Sequence, residues 1–296
     1  MKRLICLACI LVLLAGCLAG CARGKTALLL VDDTRTDQTQ LLWAGFSQKA
    51  KKMGMKAILV GLTDETEVQY TAYQLWEQAV AEHEPDVVAM VGMSATKQSF
   101  SFLSERDCAV VAVNPTADLY IPETFCVNGA TDVTLARMAA ERIIELEPPS
   151  SGRIRLLYNR VNAEVEQVFV SLMEEAAYLN LECTPLSGRI SEQAILNSFT
   201  EDTVAAYNGS DFDTQATDVS NFIVASATRA HLESLQSGQV ATVLCRDYET
   251  IGVQAAESCA KALRGKEPST VTVDPLFITA GGPDRTGAAY WLDLLS

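Results

Sequence analysis

The 296-residue chain is poor in histidine, with His83 and His231 its 2 imidazoles. A histidine-rich metal site is thereby excluded, and any Ser-His-Asp triad would have to use one of them. It also lacks a block of lysine and arginine. With 23 basic against 37 acidic residues the formal charge is -14, and that field opposes nucleic acid and anionic lipid. No G-x-G-x-x-G, Walker loop, G-x-S-x-G or H-E-x-x-H occurs, so the familiar cofactor, nucleotide, hydrolase and zinc-protease signatures are absent. The carboxylate pairs Asp32-Asp33 and Glu174-Glu175 are of the kind common on surfaces. No enzyme activity, catalytic residue, metal or cofactor is expected. No apolar run reaches the roughly 20 residues that cross a bilayer.

What is present is ordinary for a globular protein of one or two domains, at 49% hydrophobic and 20% charged residues. The head differs from the rest. Met1-Lys2-Arg3 is basic, and Leu4 to Gly16 is uncharged and apolar. Together they read as a secretory signal over residues 1–20. Leu14-Ala-Gly-Cys17 and Leu18-Ala-Gly-Cys21 both match the bacterial lipobox, in which the cysteine thiol receives a diacylglycerol. Cys21 is the expected lipidation site because it leaves a full-length apolar region and a polar tether, and Cys17 is the alternative. The protein is then held on the outer face of a cell membrane by a lipid anchor. Among the later cysteines, Cys108, Cys126, Cys183, Cys245 and Cys259 show no metal-ligand spacing. No disulfide framework is indicated: Cys108, Cys183 and Cys245 read as small hydrophobes, and whether Cys108 pairs with Cys126 to close a loop is left open by the sequence.

From residue 25 onward, short apolar runs alternate with helical faces. Strands are expected at 27–31, 57–60, 86–91, 109–113, 153–158, 181–184, 203–207, 222–225, 240–244, 271–273 and 276–278. Helices are expected from Leu41 to Lys52 and over 71–83, 95–105, 131–146, 163–179, 192–199, 229–237 and 250–263. Continuous rather than alternating apolar runs mark strands buried on both faces. The expected class is therefore α/β, with two similar lobes, each a parallel sheet flanked by helices. Pro148 to Gly152 reads as a helix-to-strand connection, Gly281 to Gly287 as a flexible tail, and His231 as an exposed helical residue.

This order of elements resembles the type I periplasmic binding protein family, the ribose-binding-like solute receptors. The resemblance is carried by Leu28-Leu-Leu-Val-Asp32 with Gly45-Phe46, by Ala109-Val-Val-Ala-Val113-Asn114, by Val127-Asn128-Gly129-Ala130 leading into Ala136 to Ala140, and by Gly252 to Ala256 through Gly265. It implies three chain crossings between lobes joined by a three-stranded hinge. It places an N-terminal lobe at 24–126 plus 247–273 and a C-terminal lobe with tail at 127–246 plus 274–296. It also implies a monomer that captures a small polar solute and delivers it to an ABC transporter permease. A sensor of the same fold, signalling to a membrane kinase or chemoreceptor, is the alternative.

Parallel α/β sheets bind ligands beyond the carboxyl ends of their strands. The expected ligand residues are therefore Asp33, Arg35, Asp37, Gln38, Ser94 and Asn114 from the first lobe. Asn159, Arg160, Asn208 and Thr228 come from the second, and Arg246 and Asp247 from a crossing. Each has a structural alternative: Ser94 and Thr228 as helix caps, Asn114 as a turn, Arg35 as a solvated ion pair, and Arg246 as hinge packing. Relative to the family's sugar receptors, an aromatic pair is missing at Thr36 to Gln40, an Asp is replaced at Ser226, and Cys245 stands where a glutamine is expected. These departures point away from a monosaccharide.

Overall fold

A computed structural model describes residues 24–92, 102–103, 105–106, 108–114, 124–145, 154–159, 163–186, 203–206, 222–224, 227–238 and 240–296. The expected leader, its two lipobox cysteines, the 192–199 helix, most of the 95–105 helix and the 148–152 connection lie outside them.

The first half opens with β1 (Thr26–Asp33), whose residues 27–31 are all buried. Thr36 then caps α1 (Asp37–Lys52), accepting a hydrogen bond from the Thr39 N–H at 3.2 Å. Leu41, Leu42, Gly45, Phe46 and Ala50 give α1 one buried face. Three lysines in its last turn, followed by Gly54 at φ 76°, end it. Next come β2 (Lys56–Leu62), α2 (Ala72–His83) behind a Thr71/Gln74 capping box, β3 (Val87–Val91), β4 (Ala109–Val113) and β5 (Phe125–Asn128).

The second half contains α3 (Asp132–Glu145), β6 (Ile154–Asn159), α4 (Ala163–Glu175), β7 (Leu181–Leu186), β8 (Thr203–Ala206), β9 (Phe222–Val224), α5 (Arg229–Ser237) and β10 (Thr242–Cys245). The chain then returns to form α6 (Tyr248–Ala262) and β11 (Thr270–Thr272). It ends in β12 (Leu276–Ile278), a 3-10 turn at Asp284–Thr286 and α7 (Ala288–Leu294).

The strands form two six-stranded sheets, ordered β11-β5-β4-β3-β1-β2 and β12-β10-β9-β8-β6-β7. Ignoring the edge strand supplied late in the chain, both follow one doubly wound order, 2-1-3-4-5. Each half is thus a copy of the same topology. The first sheet is parallel throughout. The second departs from the all-parallel expectation, because β12 runs antiparallel to β10. The short segment 273–275 between β11 and β12 accounts for this. Leaving the carboxyl end of one sheet, it enters the other at its carboxyl end, and a parallel partner would need a crossover of about a dozen residues. Two more short segments, 129–131 and 246–247, join β5 to α3 and β10 to α6. The carboxyl ends of the two sheets therefore face each other.

Side chains along β1 alternate between two cores. Ala27, Leu29 and Val31 pack with α1 and α6, while Leu28 and Leu30 pack with Trp76 and Val80 of α2. The Trp76 Nε1–H donates to the Val31 carbonyl at 2.9 Å. Glycines set the α1–α6 approach: a Cβ on Gly45 would run into the Glu249 carbonyl, and one on Gly252 into the Leu42 carbonyl.

Two sequence expectations are corrected. The segment 281–287 is not a loose tail. It folds through the 3-10 turn into α7, whose Trp291 is fully buried, because Trp291 completes an apolar cluster with Leu232, Leu235 and Val243. His231 is buried rather than exposed, on the face of α5 that carries Leu232 and Leu235 into that cluster. The pairing that the sequence left open is not made: Cys108 and Cys126 form no disulfide with each other. Cys245 is buried, with Cys108 and Cys183 half-buried. Burial pushes the Cys245 and Cys259 thiols up.

Candidate functional site

A cavity of about 940 Å³ lies where the first sheet's carboxyl ends meet the crossings, a size suited to a small ligand. Val91 and Gly92 reach it from β3, Asn114 from β4, Asn128 from β5, and Thr272 from β11. The crossings add residues 129–132 with Thr134, then Arg246 with Tyr248, then 273–275.

Asn114 holds a left-handed conformation (φ 47°), which asparagine tolerates better than most residues. Its own N–H donates to the Val127 carbonyl at 2.8 Å, and its side-chain Oδ1 accepts from the Gly129 N–H at 2.6 Å. The residue thus pins the first crossing against the end of β4. With Oδ1 committed, its Nδ2 donors are what it offers the cavity.

Arg246 spans the second crossing and the first. Its Nε donates to the Ala130 carbonyl at 2.6 Å, and its Nη2 pairs with the Asp132 carboxylate. Burial pushes the Tyr248 phenol up, opposed by the neighbouring Arg246 guanidinium, so Tyr248 stays a neutral donor at physiological pH. The lining therefore carries one cation already answered by a carboxylate, the Asp274 carboxylate, two amides, a phenol and the hydroxyls of Thr131, Thr134 and Thr272. Such a set offers many hydrogen-bonding groups to a polar ligand and no unmatched cation to an anion. Among the described residues no group of three metal-binding side chains occurs.

Of the residues expected to meet a ligand, the structure brings Asn114 and Arg246 to this cavity. Arg35 does not line it, being held by three carboxylates: Asp33 at 2.6 Å, Asp64 at 2.7 Å and Glu67 at 2.6 Å. The same guanidinium keeps the Asp33 carboxyl below its usual range. The Asp37 carboxylate accepts from the Arg229 backbone N–H, and Gln38 sits in the first turn of α1. Thr228 is the N-cap of α5, accepting from the His231 N–H at 3.3 Å. Asp247 caps α6 through the Thr250 N–H and pairs with Arg285. Asn159 ends β6, with its side chain outside the description, as are Ser94, Arg160 and Asn208.

The lining residues that sequence reasoning passed over are Asn128, Thr131, Asp132, Thr134, Thr272 and Asp274. Most of them flank β5 or β11. Reading 125–128 as a strand would have put Thr131 and Asp132 beyond its carboxyl end.

No family model and no curated protein sequence matches the chain. Solved structures do. A sugar-binding protein of a sugar ABC transporter from Bacillus halodurans superposes with a TM-score of 0.68 at 14% identity, over 86% of this chain and 97% of that one. The arabinose-binding protein AraP from Geobacillus stearothermophilus gives 0.67 at 13%, over 86% and 97%. The fold is that of the type I periplasmic binding proteins. A carbohydrate-transporter solute-binding protein from Agrobacterium radiobacter, solved with D-arabinose, gives 0.65 at 15%, over 88% and 97%. In the type I arrangement, two doubly wound halves meet carboxyl end to carboxyl end, which is the relation of the two sheets here.

Proposed function

We propose that this chain is an extracytoplasmic solute-binding protein. It captures a small polar ligand between its halves and delivers it to the permease of an ABC importer. The observation that carries the reading is the cavity at the facing carboxyl ends, with Asn114 and Arg246 in its wall. The ligand is not an anion, because the Arg246 guanidinium is already matched by Asp132 and the lining carries a further carboxylate, Asp274. The names of the fold neighbours agree: among them are proteins solved with D-arabinose, myo-inositol and 5-methylthioribose. Residues 1–20 serve as a leader, and a lipid on Cys21 keeps the monomeric protein on the outer face of the membrane.

A thermal-shift screen of the protein against pentoses, hexoses, inositols, nucleosides, amino acids and organic anions tests this. A ligand at a hundredfold excess over its dissociation constant stabilises the folded state by about 2.7 kcal/mol. That is a shift of roughly 5–10 °C for a chain of this size. A polyol or nucleoside should give the shift, and Arg246→Gln should abolish it. If no class shifts the transition, the solute-binding reading fails. If only anions do, the exclusion of an anionic ligand is wrong. Cys21→Ser should move the protein from the membrane to the soluble fraction, whereas Cys17→Ser should not.

A second reading is delivery of the liganded state to a protein partner other than a permease, such as a membrane sensor. A neighbour with a TM-score of 0.58 and 14% identity is a complex of XylFII with LytSN. Ligand uptake that depends on a permease would decide for import.

A further inference from the structure

The segment after β12 leaves the second half and attaches to the first. Arg285 is its anchor. Its Nη2 contacts both Asp247 carboxylate oxygens at 2.5 and 2.7 Å, and the Glu249 carboxylate at 3.0 Å. The Tyr290 hydroxyl donates to Glu249 at 2.7 Å. Both acceptors belong to the start of α6, which packs on α1 and the first sheet. Their side chains are only 8% and 14% exposed, so two nearly dry carboxylates share one arginine.

The same segment is rooted in the other half. Ala288, Trp291 and Leu295 are buried in the cluster that holds α5 and β10, and the Arg229 guanidinium bonds the Leu295 carbonyl. The Trp291 Nε1–H donates to the Arg285 carbonyl at 2.6 Å. Leu41 of α1 is fully buried in this cluster, although its helix belongs to the first sheet.

We infer that residues 279–296 are a strap across the two halves, with Arg285 as its buckle, and that the strap limits how far the cleft opens. The physical reason is asymmetric. Moving α6 away from α7 would strip Arg285 from Asp247 and Glu249, giving up its contacts to both carboxylates at once and leaving them side by side without their shared cation. It would also expose Leu41 and the Trp291 cluster to water. Opening therefore carries a cost that ligand contacts need not supply, and the closed population rises before any ligand arrives.

The inference rests on the proposed reading in one respect, that the halves move. Its test needs no ligand. Click-reactive non-natural residues placed at exposed Glu82 and Glu174, one on each half, carry spin labels on the full chain. Double electron–electron resonance then reads the distance between halves. Arg285→Gln should lengthen and broaden the distribution. Adding Asp247→Asn and Glu249→Gln to that variant should narrow it again, because no buried charge remains to repel. Arg285→Lys keeps the charge but loses the two-oxygen contact and should fall between, and it decides the matter if Arg285→Gln does not fold. A distribution that Arg285→Gln or Arg285→Lys leaves unchanged overturns the strap, as does a triple variant as open as the single one. Failure to bind any solute would overturn the functional reading while leaving these distances as they are.

Discussion

The Asp37 carboxylate accepts a hydrogen bond at 2.6 Å from the backbone N–H of Arg229, a residue 192 positions later and in the other half of the molecule. Asp37 opens α1, and Arg229 opens α5. One carboxylate therefore serves two helix N-termini, where negative charge is favoured. It also answers one of the donors that α5 cannot pair internally. Thr228 answers another, at the His231 N–H.

Replacing Asp37 by alanine removes the charge and the acceptor together. Urea unfolding should then show a loss of about 1 kcal/mol. Asp37→Asn keeps an acceptor without the charge, and should lie between alanine and the parent. If asparagine and alanine are equally destabilised, the charge is the whole effect and the hydrogen bond contributes nothing.

The strap carries its own pH signature. Burial, together with the hydrogen bond to Glu249, pushes the Tyr290 phenol from 10.0 up to about 12. The folded protein holds this proton over a range where the unfolded chain has released it. Stability attached to Tyr290 is complete below pH 10, and it is lost as pH rises through the interval to about 12. Denaturant titrations at closely spaced alkaline pH should show that decline, and Tyr290→Phe should make it shallower. A variant that declines as steeply as the parent would place the alkaline loss elsewhere.

Much of the architecture can be read directly from residue order, and the reasons are local. Ala27 to Val31 is apolar without interruption because both faces of β1 meet helices. The lysines at the end of α1 and Gly54 after it mark a stop that needs no tertiary partner. Where reading failed, the deciding partner was distant in sequence. β5 has 4 residues, with Cys126 and Asn128 only half-buried, too short and too mixed for an apolar run to announce it. Arg35 follows a strand and was expected at the ligand, but Asp64 and Glu67 claim it from 29 and 32 residues away. Asp247 was expected there too, and Arg285 takes it from 38 residues away. Trp291 acquires its burial from α5 and β10, which no pattern within the last twenty or so residues discloses.

Asn114 separates folding from ligand contact, and a series at this position should show the two effects independently. Alanine there must hold φ 47° without asparagine's tolerance and loses the acceptor for the Gly129 N–H. Adding a left-handed penalty of about 1 kcal/mol to the loss of an acceptor for a half-buried donor puts Asn114→Ala roughly 2 kcal/mol below the parent. Glycine removes the backbone penalty and keeps only the lost hydrogen bond, so Asn114→Gly should cost about 1 kcal/mol. Aspartate retains both the acceptor and some tolerance of the left-handed region. Its stability should lie closest to the parent. Yet aspartate has no Nδ2 donors, and it adds a charge beside a cavity that already contains Asp132 and Asp274. Calorimetric titration with the ligand found in the thermal screen should therefore show weakened binding in all three variants, including the stable aspartate. If Asn114→Asp is both stable and binds like the parent, Asn114 serves only to pin the first crossing, and the ligand is held by the residues around Arg246 alone.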